Sequence, residues 1–197
     1  MIKISPVRPV AARPDLNGAE ADQFAWQRML VGDQRGLAEL FRTYYSVLYD
    51  YGCKLVAREE MTEDAIQETF ATLWEKRHHL TTAQSVRAYL FATLKRSLLR
   101  QVQRQRLLNQ KTLAAGDDYP DHAFSPEDMM LAAEQQAEQR EAVISALRQI
   151  PTRQREALYL KTFSALKYRE IATIMNISQQ VARNYVSEAY RKLRELL

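Results

Sequence analysis

Near the C-terminus, Gln179, Gln180, Arg183, Asn184 and Ser187 follow a short interruption in an otherwise helical pattern, with Arg191, Lys192 and Arg194 just beyond. Amide, hydroxyl and guanidinium groups hydrogen-bond base edges and phosphates, so the chemistry on offer is recognition of nucleic acid. In REIATIMNISQQVARNY the apolar positions Ile171, Ile174 and Met175 stop at Asn176–Ser178 and resume at Val181, Ala182, Tyr185 and Val186. Asn176 tolerates the left-handed backbone that a sharp turn between helices needs. Ile177 suits the space between the two helices, Ser178 suits the N-cap of the second, and small Ala172 lets the pair approach closely. The spacing fits a helix-turn-helix whose second helix is free to enter a major groove. On spacing alone, a tight corner inside any helical protein fits equally well.

Bond-making chemistry finds little support. His78 and His79 lie near Glu75 at a spacing compatible with a metal site, but the third and last histidine, His122, stands far along the chain. Histidines at a helix end are more often solvated than ligating. There is neither a glycine-rich phosphate loop nor a nucleophile with a base beside it, so no catalysis, cofactor or small-molecule substrate is expected. Cys53 is the single cysteine, which rules out a disulfide within the chain and fits a reduced, cytoplasmic setting.

The elements that position these residues are helices. Between Cys53 and Ala115 there is neither glycine nor proline, and after Glu127 the sole breaker is Pro151. Long breaker-free stretches rich in Leu, Ala, Gln, Glu and Arg give an all-α fold class. An amphipathic helix begins near Gly36, with Leu37, Leu40, Phe41, Tyr44, Leu48, Tyr51 and Leu55 on one stripe. Thr62 is read as the cap of the next helix, whose buried face is Ala65, Ile66, Thr69, Phe70, Leu73 and Trp74. A polar loop over roughly 78–84 leads to a third helix from Ser85, carrying Val86, Tyr89, Leu90, Leu94, Leu98 and Val102. A segment with glycine, two prolines and clustered acids around 114–130 reads as a linker. A second compact helical unit follows it. The first residues, MIKISPVRPVAARPDLNG, are too proline-rich and weakly apolar for a signal peptide and read as a flexible tail. No run is long enough to insert in a membrane.

The formal net charge of +4 conceals blocks. From Lys76 to Gly116 nine basic residues meet no acid, from Asp117 to Glu141 eight acids face only Arg140, and from Ala142 to Leu197 ten basic residues meet four acids. Two basic surfaces separated by an acidic linker point to phosphate backbone as partner.

EDAIQETFATLWEKR followed by SVRAYLFATLKRSLLRQVQRQR resembles region 2 of sigma-70-type initiation factors, specifically the small extracytoplasmic-function (ECF) group. The carrying residues are Glu63, Asp64, Gln67, Glu68, Phe70 and Trp74, then Arg87, Tyr89, Phe91, Lys95 and Arg96. GDQRGLAELFRTYY is similar to the first helix of that region. LRQIPTRQREALYLKTFSALKYREIATIMNIS, with Ile150, Pro151, Arg155 and Glu156, resembles region 4. The resemblance runs from about Phe24 onward. It divides the chain into a tail (1–22), a region 2-like unit (23–108), a linker (109–135) and a region 4-like unit (136–197).

That resemblance implies a promoter-specificity factor that binds core RNA polymerase, at the clamp and flap, and promoter DNA. The polymerase-binding residues implied are Asp64, Gln67, Glu68 and Trp74; the first three offer an exposed polar face, while Trp74, with Phe70, chiefly holds the helix in the core. The −10 element falls to Arg87, Tyr89, Phe91, Lys95, Arg96 and Arg100, since melted DNA needs positive charge and aromatic faces for unstacked bases. One of Tyr89 and Phe91 is expected in the core. The −35 duplex falls to Gln179, Gln180, Arg183, Asn184, Ser187 and Arg191. The acidic linker would lie in a polymerase channel, and an anti-sigma protein is an implied partner. The chain departs from the family where Arg96 and Arg100 replace common Asn and Asp, so promoter contacts there are not carried over, and where Val181 and Ala182 replace threonine and a larger apolar residue, so the −35 sequence is not predicted and looser packing of that unit is expected. The rival reading is a stand-alone helix-turn-helix regulator, which needs only the C-terminal unit.

Overall fold

A computed structural model describes residues 18–108, 119–130 and 137–196. Nine α-helices and one 3-10 turn, and no strand, occur among the described residues. In chain order they are α1 (Gly18–Leu30), α2 (Gln34–Val56), α3 (Glu59–Glu75), the turn Arg77–His79, α4 (Val86–Leu108), α5 (Pro126–Met130), α6 (Ala137–Arg148), α7 (Thr152–Thr162), α8 (Tyr168–Met175) and α9 (Gln179–Leu196). None of them is long and apolar enough to cross a membrane.

The first unit is α1 to α4. Leu40, Tyr44, Leu48, Tyr51 and Leu55 of α2 are buried against Ala65, Ile66, Phe70 and Leu73 of α3 and Leu90, Phe91, Leu94 and Leu98 of α4. Leu37 and Phe41 complete the expected α2 stripe but lie only partly covered. The helix α1 begins inside the stretch expected to be tail. Its Asp22 accepts the Tyr44 hydroxyl, and its Ala25, Trp26 and Met29 are buried. The rest of the expected tail, 1–17, lies outside the described residues. The α1–α2 joint turns at Gly32, whose φ of +89° favours glycine. Asp33 then caps α2 by accepting from the Arg35 backbone N–H at 2.9 Å.

Thr62 does not cap α3. The helix starts three residues earlier at Glu59, with Arg58 extended before it. Thr62 is fully buried inside the first turn, and its hydroxyl donates back to the Arg58 carbonyl at 2.9 Å. Gly52 explains the placement: a Cβ there would stand 2.4 Å from Thr62 Cγ2, so α2 and α3 cross at this pair. The capping preference yields to packing, and Glu59 and Glu60 supply the negative charge the N-terminus favours.

The second unit is α5 to α9, with Ile144, Leu147, Ala157, Leu158, Leu160, Ile171, Met175, Ala182 and Val186 in its core. Phe163 is 47% exposed and stacks on Tyr159. The acidic linker is less open than its composition suggests. Within the described part of it, Tyr119, Ala123, Phe124 and Met129 are buried, and Tyr119 and Phe124 touch both units. Asp117, Asp118 and Glu134 lie outside the described residues. The helices α4 and α8 pack directly on each other, so the two units share one continuous core.

Candidate polymerase and DNA interfaces

The interrupted helical pattern is a helix-turn-helix. Asn176 adopts φ 53° and ψ 52°, the left-handed conformation that lets the chain leave α8, and the Ile177 N–H donates to the Ala172 carbonyl at 3.0 Å. Ser178 Oγ accepts the Val181 N–H at 3.2 Å and caps α9. Ile171, Ala172, Met175, Ala182 and Val186 face inward and are buried. Ile177 and Tyr185 are partly buried at the edge of that core.

Burying one stripe of α9 leaves the opposite stripe in solvent. Gln179, Gln180, Arg183, Asn184, Ser187 and Arg191 are all exposed. Gln180 donates to Asn184 at 2.9 Å, which orients the two amides side by side. Arg183 lies over the Tyr168 ring, 5.4 Å from its centroid, so its guanidinium is held against α8 while its edge stays free. Arg191 pairs with Glu195 one turn on, at 3.0 Å. Six side chains able to hydrogen-bond bases or phosphates thus share one open helical face.

On α3, Asp64, Gln67 and Glu68 are exposed as expected. Glu68 also reaches across to α4, accepting from Ser97 at 2.9 Å and Gln101 at 3.3 Å. Trp74 differs from its expected role as a core anchor. It is only partly buried, with Arg77 stacked on its face at 4.2 Å, and with Leu37, Phe41 and Phe70 it lines an open apolar groove between α2 and α3. Phe70, at 4% exposure, is the residue that fills the core. Spacing puts Leu37 and Phe41 on the core stripe and carries no signal that they border a surface groove.

The candidate −10 residues on α4 divide by face. Arg96 and Arg100 project into solvent and donate within their own helix, Arg96 to the Ala92 carbonyl and the Thr93 hydroxyl and Arg100 to the Arg96 carbonyl. Tyr89 is partly buried with its ring edge-on to Trp26 at 5.1 Å. Phe91 is fully buried against Tyr51, so it is core and offers no stacking surface. Arg87 donates to the Ser164 carbonyl of the second unit. Lys95 is 6% exposed, and its ammonium donates to both oxygens of Glu156 at 2.9 and 3.0 Å. In this arrangement Lys95 and Phe91 cannot meet DNA, which corrects the reading of both as contact residues. The cause is a partner remote in sequence for Lys95 and the inward side of α4 for Phe91.

Around Glu156 lies the main feature that sequence reasoning missed. Its carboxylate, at 0% exposure, also accepts the Tyr51 hydroxyl at 2.6 Å and the Tyr119 hydroxyl. Burial and the adjacent carboxylate push the Tyr51 and Tyr119 hydroxyls well above their ordinary pKa, so both stay protonated donors. Glu156 is one of only four acids after Ala142 and is followed by AlaLeuTyrLeu, a hint of burial that its place in the region 4 motif obscured.

Among the described residues no cluster of three or more His, Cys, Asp or Glu is arranged to hold a metal. His78 and His79 are solvent-exposed at the end of the 3-10 turn.

Comparison with known proteins matches this architecture. The family description "Sigma-70 region 2" matches residues 40–107, and "Sigma-70, region 4" matches residues 140–193. The chain is 24% identical over 158 residues to the ECF RNA polymerase sigma factor SigM of Bacillus subtilis (strain 168), covering 80% of this chain and 93% of that protein. Its fold resembles CnrH in complex with the cytosolic domain of CnrY, with a TM-score of 0.60, 19% identity and coverage of 89% of this chain and 96% of that one. It also resembles the sigma factor RpoE in complex with the anti-sigma factor NepR from Bartonella quintana, with a TM-score of 0.55, 19% identity and coverage of 81% and 94%. The two structural likenesses concern fold. The two family matches place a region 2 unit and a region 4 unit that carries the helix-turn-helix in one chain, in order.

Proposed function

We propose a working mechanism from the premise that this chain belongs to the sigma-70 family, as a promoter-specificity factor of the ECF group and not a stand-alone regulator. Such factors bind core RNA polymerase and promoter DNA. They act by binding and not by turnover, and no reaction is assigned to any residue here.

The polymerase face is assigned to α3 and the groove beside it. Asp64, Gln67 and Glu68 present hydrogen-bond acceptors and negative charge to a basic partner helix, and Trp74 with Leu37 and Phe41 supplies apolar area next to them. A central apolar patch edged by charge is the usual anatomy of a protein interface. The −35 duplex is assigned to the exposed stripe of α9, with Gln179, Gln180, Arg183 and Asn184 toward base edges and Ser187 and Arg191 toward phosphates. The melted −10 strand is assigned to the solvent side of α4, where Arg96 and Arg100 sit, with Arg87 and the Tyr89 edge joining when region 4 is not over them. The acidic linker is assigned to a polymerase channel, where its negative charge stands in for nucleic acid. An anti-sigma protein is a further proposed partner, supported by the relatives solved with CnrY and with NepR. The place of action is the cytoplasm, where polymerase and promoters are.

The observation that carries this reading is the exposed acidic face of α3 on a region 2 unit in the same chain as a helix-turn-helix with an open recognition face. The test is run-off transcription by purified bacterial core polymerase on genomic promoter fragments, with and without the protein. Start-specific transcripts that depend on the protein are expected. Failure to bind core polymerase at all would defeat the reading and restore the stand-alone regulator.

A further inference from the structure

We propose that the free chain masks itself: region 4 and the linker close over α4 through a buried latch centred on Glu156, and this latch must open before the two DNA-reading units can act together.

Every side-chain hydrogen bond of Glu156 leaves its own unit. Tyr51 donates from α2, Lys95 from α4 and Tyr119 from the linker, converging on one fully buried carboxylate of α7. A carboxylate enters a protein interior only when its charge and lone pairs are compensated. Region 4 by itself supplies none of that compensation, so the folding of region 4 does not explain the group. Closure explains it. The linker is bound into the same seam: the Phe124 N–H donates to the Lys54 carbonyl at 2.6 Å, and its own carbonyl accepts from Arg155 at 2.8 Å. Its ring packs between Tyr51 and Tyr159, 5.7 and 5.6 Å from their centroids. At the start of α4, Ser85 donates to Glu170 at 2.6 Å and Arg87 donates to the Ser164 carbonyl; near the other end Arg106 reaches the Tyr119 carbonyl at 3.3 Å. One long side of α4 is therefore covered from end to end.

The closed form cannot span a promoter. Elements at −35 and −10 are about 25 base pairs apart, or about 85 Å at 3.4 Å per step. A compact chain of this length has a radius of gyration of about 16 Å and a diameter of about 40 Å. Opening is thus required for simultaneous contact with both elements. The latch itself follows from geometry alone; that it restrains function rests on the initiation-factor reading above.

The test is amine labelling of the full-length protein with an acetyl N-hydroxysuccinimide ester, read by mass spectrometry, beside small-angle scattering. Lys76 is exposed and serves as the reference. In the unaltered chain, Lys95 should label at least about tenfold more slowly than Lys76, as for a site that reacts only on local opening. Two variants should unmask it. Glu156→Gln leaves the buried ammonium without its counter-charge, and Tyr119→Phe removes one hydroxyl from a linker residue outside either unit's own helices. In each, Lys95 labelling should rise severalfold and the radius of gyration should grow beyond about 16 Å, with unchanged helical circular dichroism. Lys95 labelling as fast as Lys76 in the unaltered chain would overturn the proposal. So would protection and compactness that persist in both variants. Neither measurement involves polymerase, so the latch can fail while protein-dependent transcription stands, and the reverse.

Discussion

Replacing Gly36 with alanine should loosen the joint between α1 and α2. The glycine lies in the first turn of α2, and a Cβ there would stand 2.4 Å from the Ala25 carbonyl oxygen, 2.7 Å from the Met29 nitrogen and 2.9 Å from Arg28 Cβ. Carbon contacts settle at about 3.5 Å or more, so α1 must withdraw by about 1 Å. The two nearest obstacles are backbone atoms, which no rotamer change can move. Withdrawal disturbs the buried Ala25, Trp26 and Met29 and lengthens the Trp26 Nε1–Thr81 carbonyl hydrogen bond, now 3.1 Å. Overpacking of this kind costs typically about 1–3 kcal/mol. Against it, alanine gains at most about 1 kcal/mol over glycine in a helix. With backbone in the way the steric cost falls toward its upper end, leaving a net loss of about 1–2 kcal/mol. For a chain of this size that is a melting-temperature drop of roughly 2–8 °C. Thermal unfolding by circular dichroism reads it directly. Gly52→Ala should also destabilise, because its Cβ would stand 2.4 Å from Cγ2 of Thr62, a stiff and fully buried side chain at the α2–α3 crossing. Gly36→Ala melting at or above the parent would refute the seating of α1 on α2.

Arg183→Ala should weaken −35 duplex binding by about 1–3 kcal/mol if the arginine reads a base; loss spread over all sequences, with a salt slope about one lower, would mark it as a phosphate contact, and core-polymerase affinity should not change either way. Glu68→Lys should reduce core-polymerase binding in a pull-down while circular dichroism stays native; unaltered binding would move the docking face off α3. Trp74→Ala should also keep the fold, since the ring is only partly buried, and lose polymerase affinity through the emptied groove; unfolding instead would show that the indole supports the core. Asp33 is held at about 2 by hydrogen bonds from Arg28 and from the Arg35 backbone and side chain. Because that value is depressed, its contribution is complete above the ordinary aspartate range and is lost as pH falls from about 4 to 2. Asp33→Asn should flatten the acid-unfolding curve in that window, and an unchanged curve would refute the assignment.

The fold was legible where a local rule had no competitor. The amphipathic stripe from Leu37 to Leu55 marked α2, the breaker-free stretch marked α3 and α4, and the Asn-Ile-Ser interruption marked the turn, its left-handed residue, its cap and the open stripe of α9, because each of these is decided within a few residues. Legibility ended where a distant residue decides. Lys95 reads as one more cation in an acid-free block, and its counter-charge Glu156 lies 61 residues on. Thr62 reads as a cap until Gly52 of another helix is placed beside it. Trp74 reads as core by its type, and only the open flank of α2 next to it shows that it borders a groove. The helix α1 was hidden by the proline-rich run before it, although Ala25, Trp26 and Met29 carry helical spacing.

The reach of the Glu156 carboxylate has a consequence for how the protein is made. Its partner Tyr51 leaves the ribosome 105 residues earlier. At bacterial-scale synthesis rates of about 5–20 residues per second, the N-terminal unit, complete at Leu108, waits roughly 2–10 s before Glu156 has been synthesised. Over that interval the nascent chain displays α3, α4 and Lys95 without region 4 above them. A newborn chain is therefore briefly in the state that the finished one must open to reach, and core polymerase that meets it during translation faces no latch.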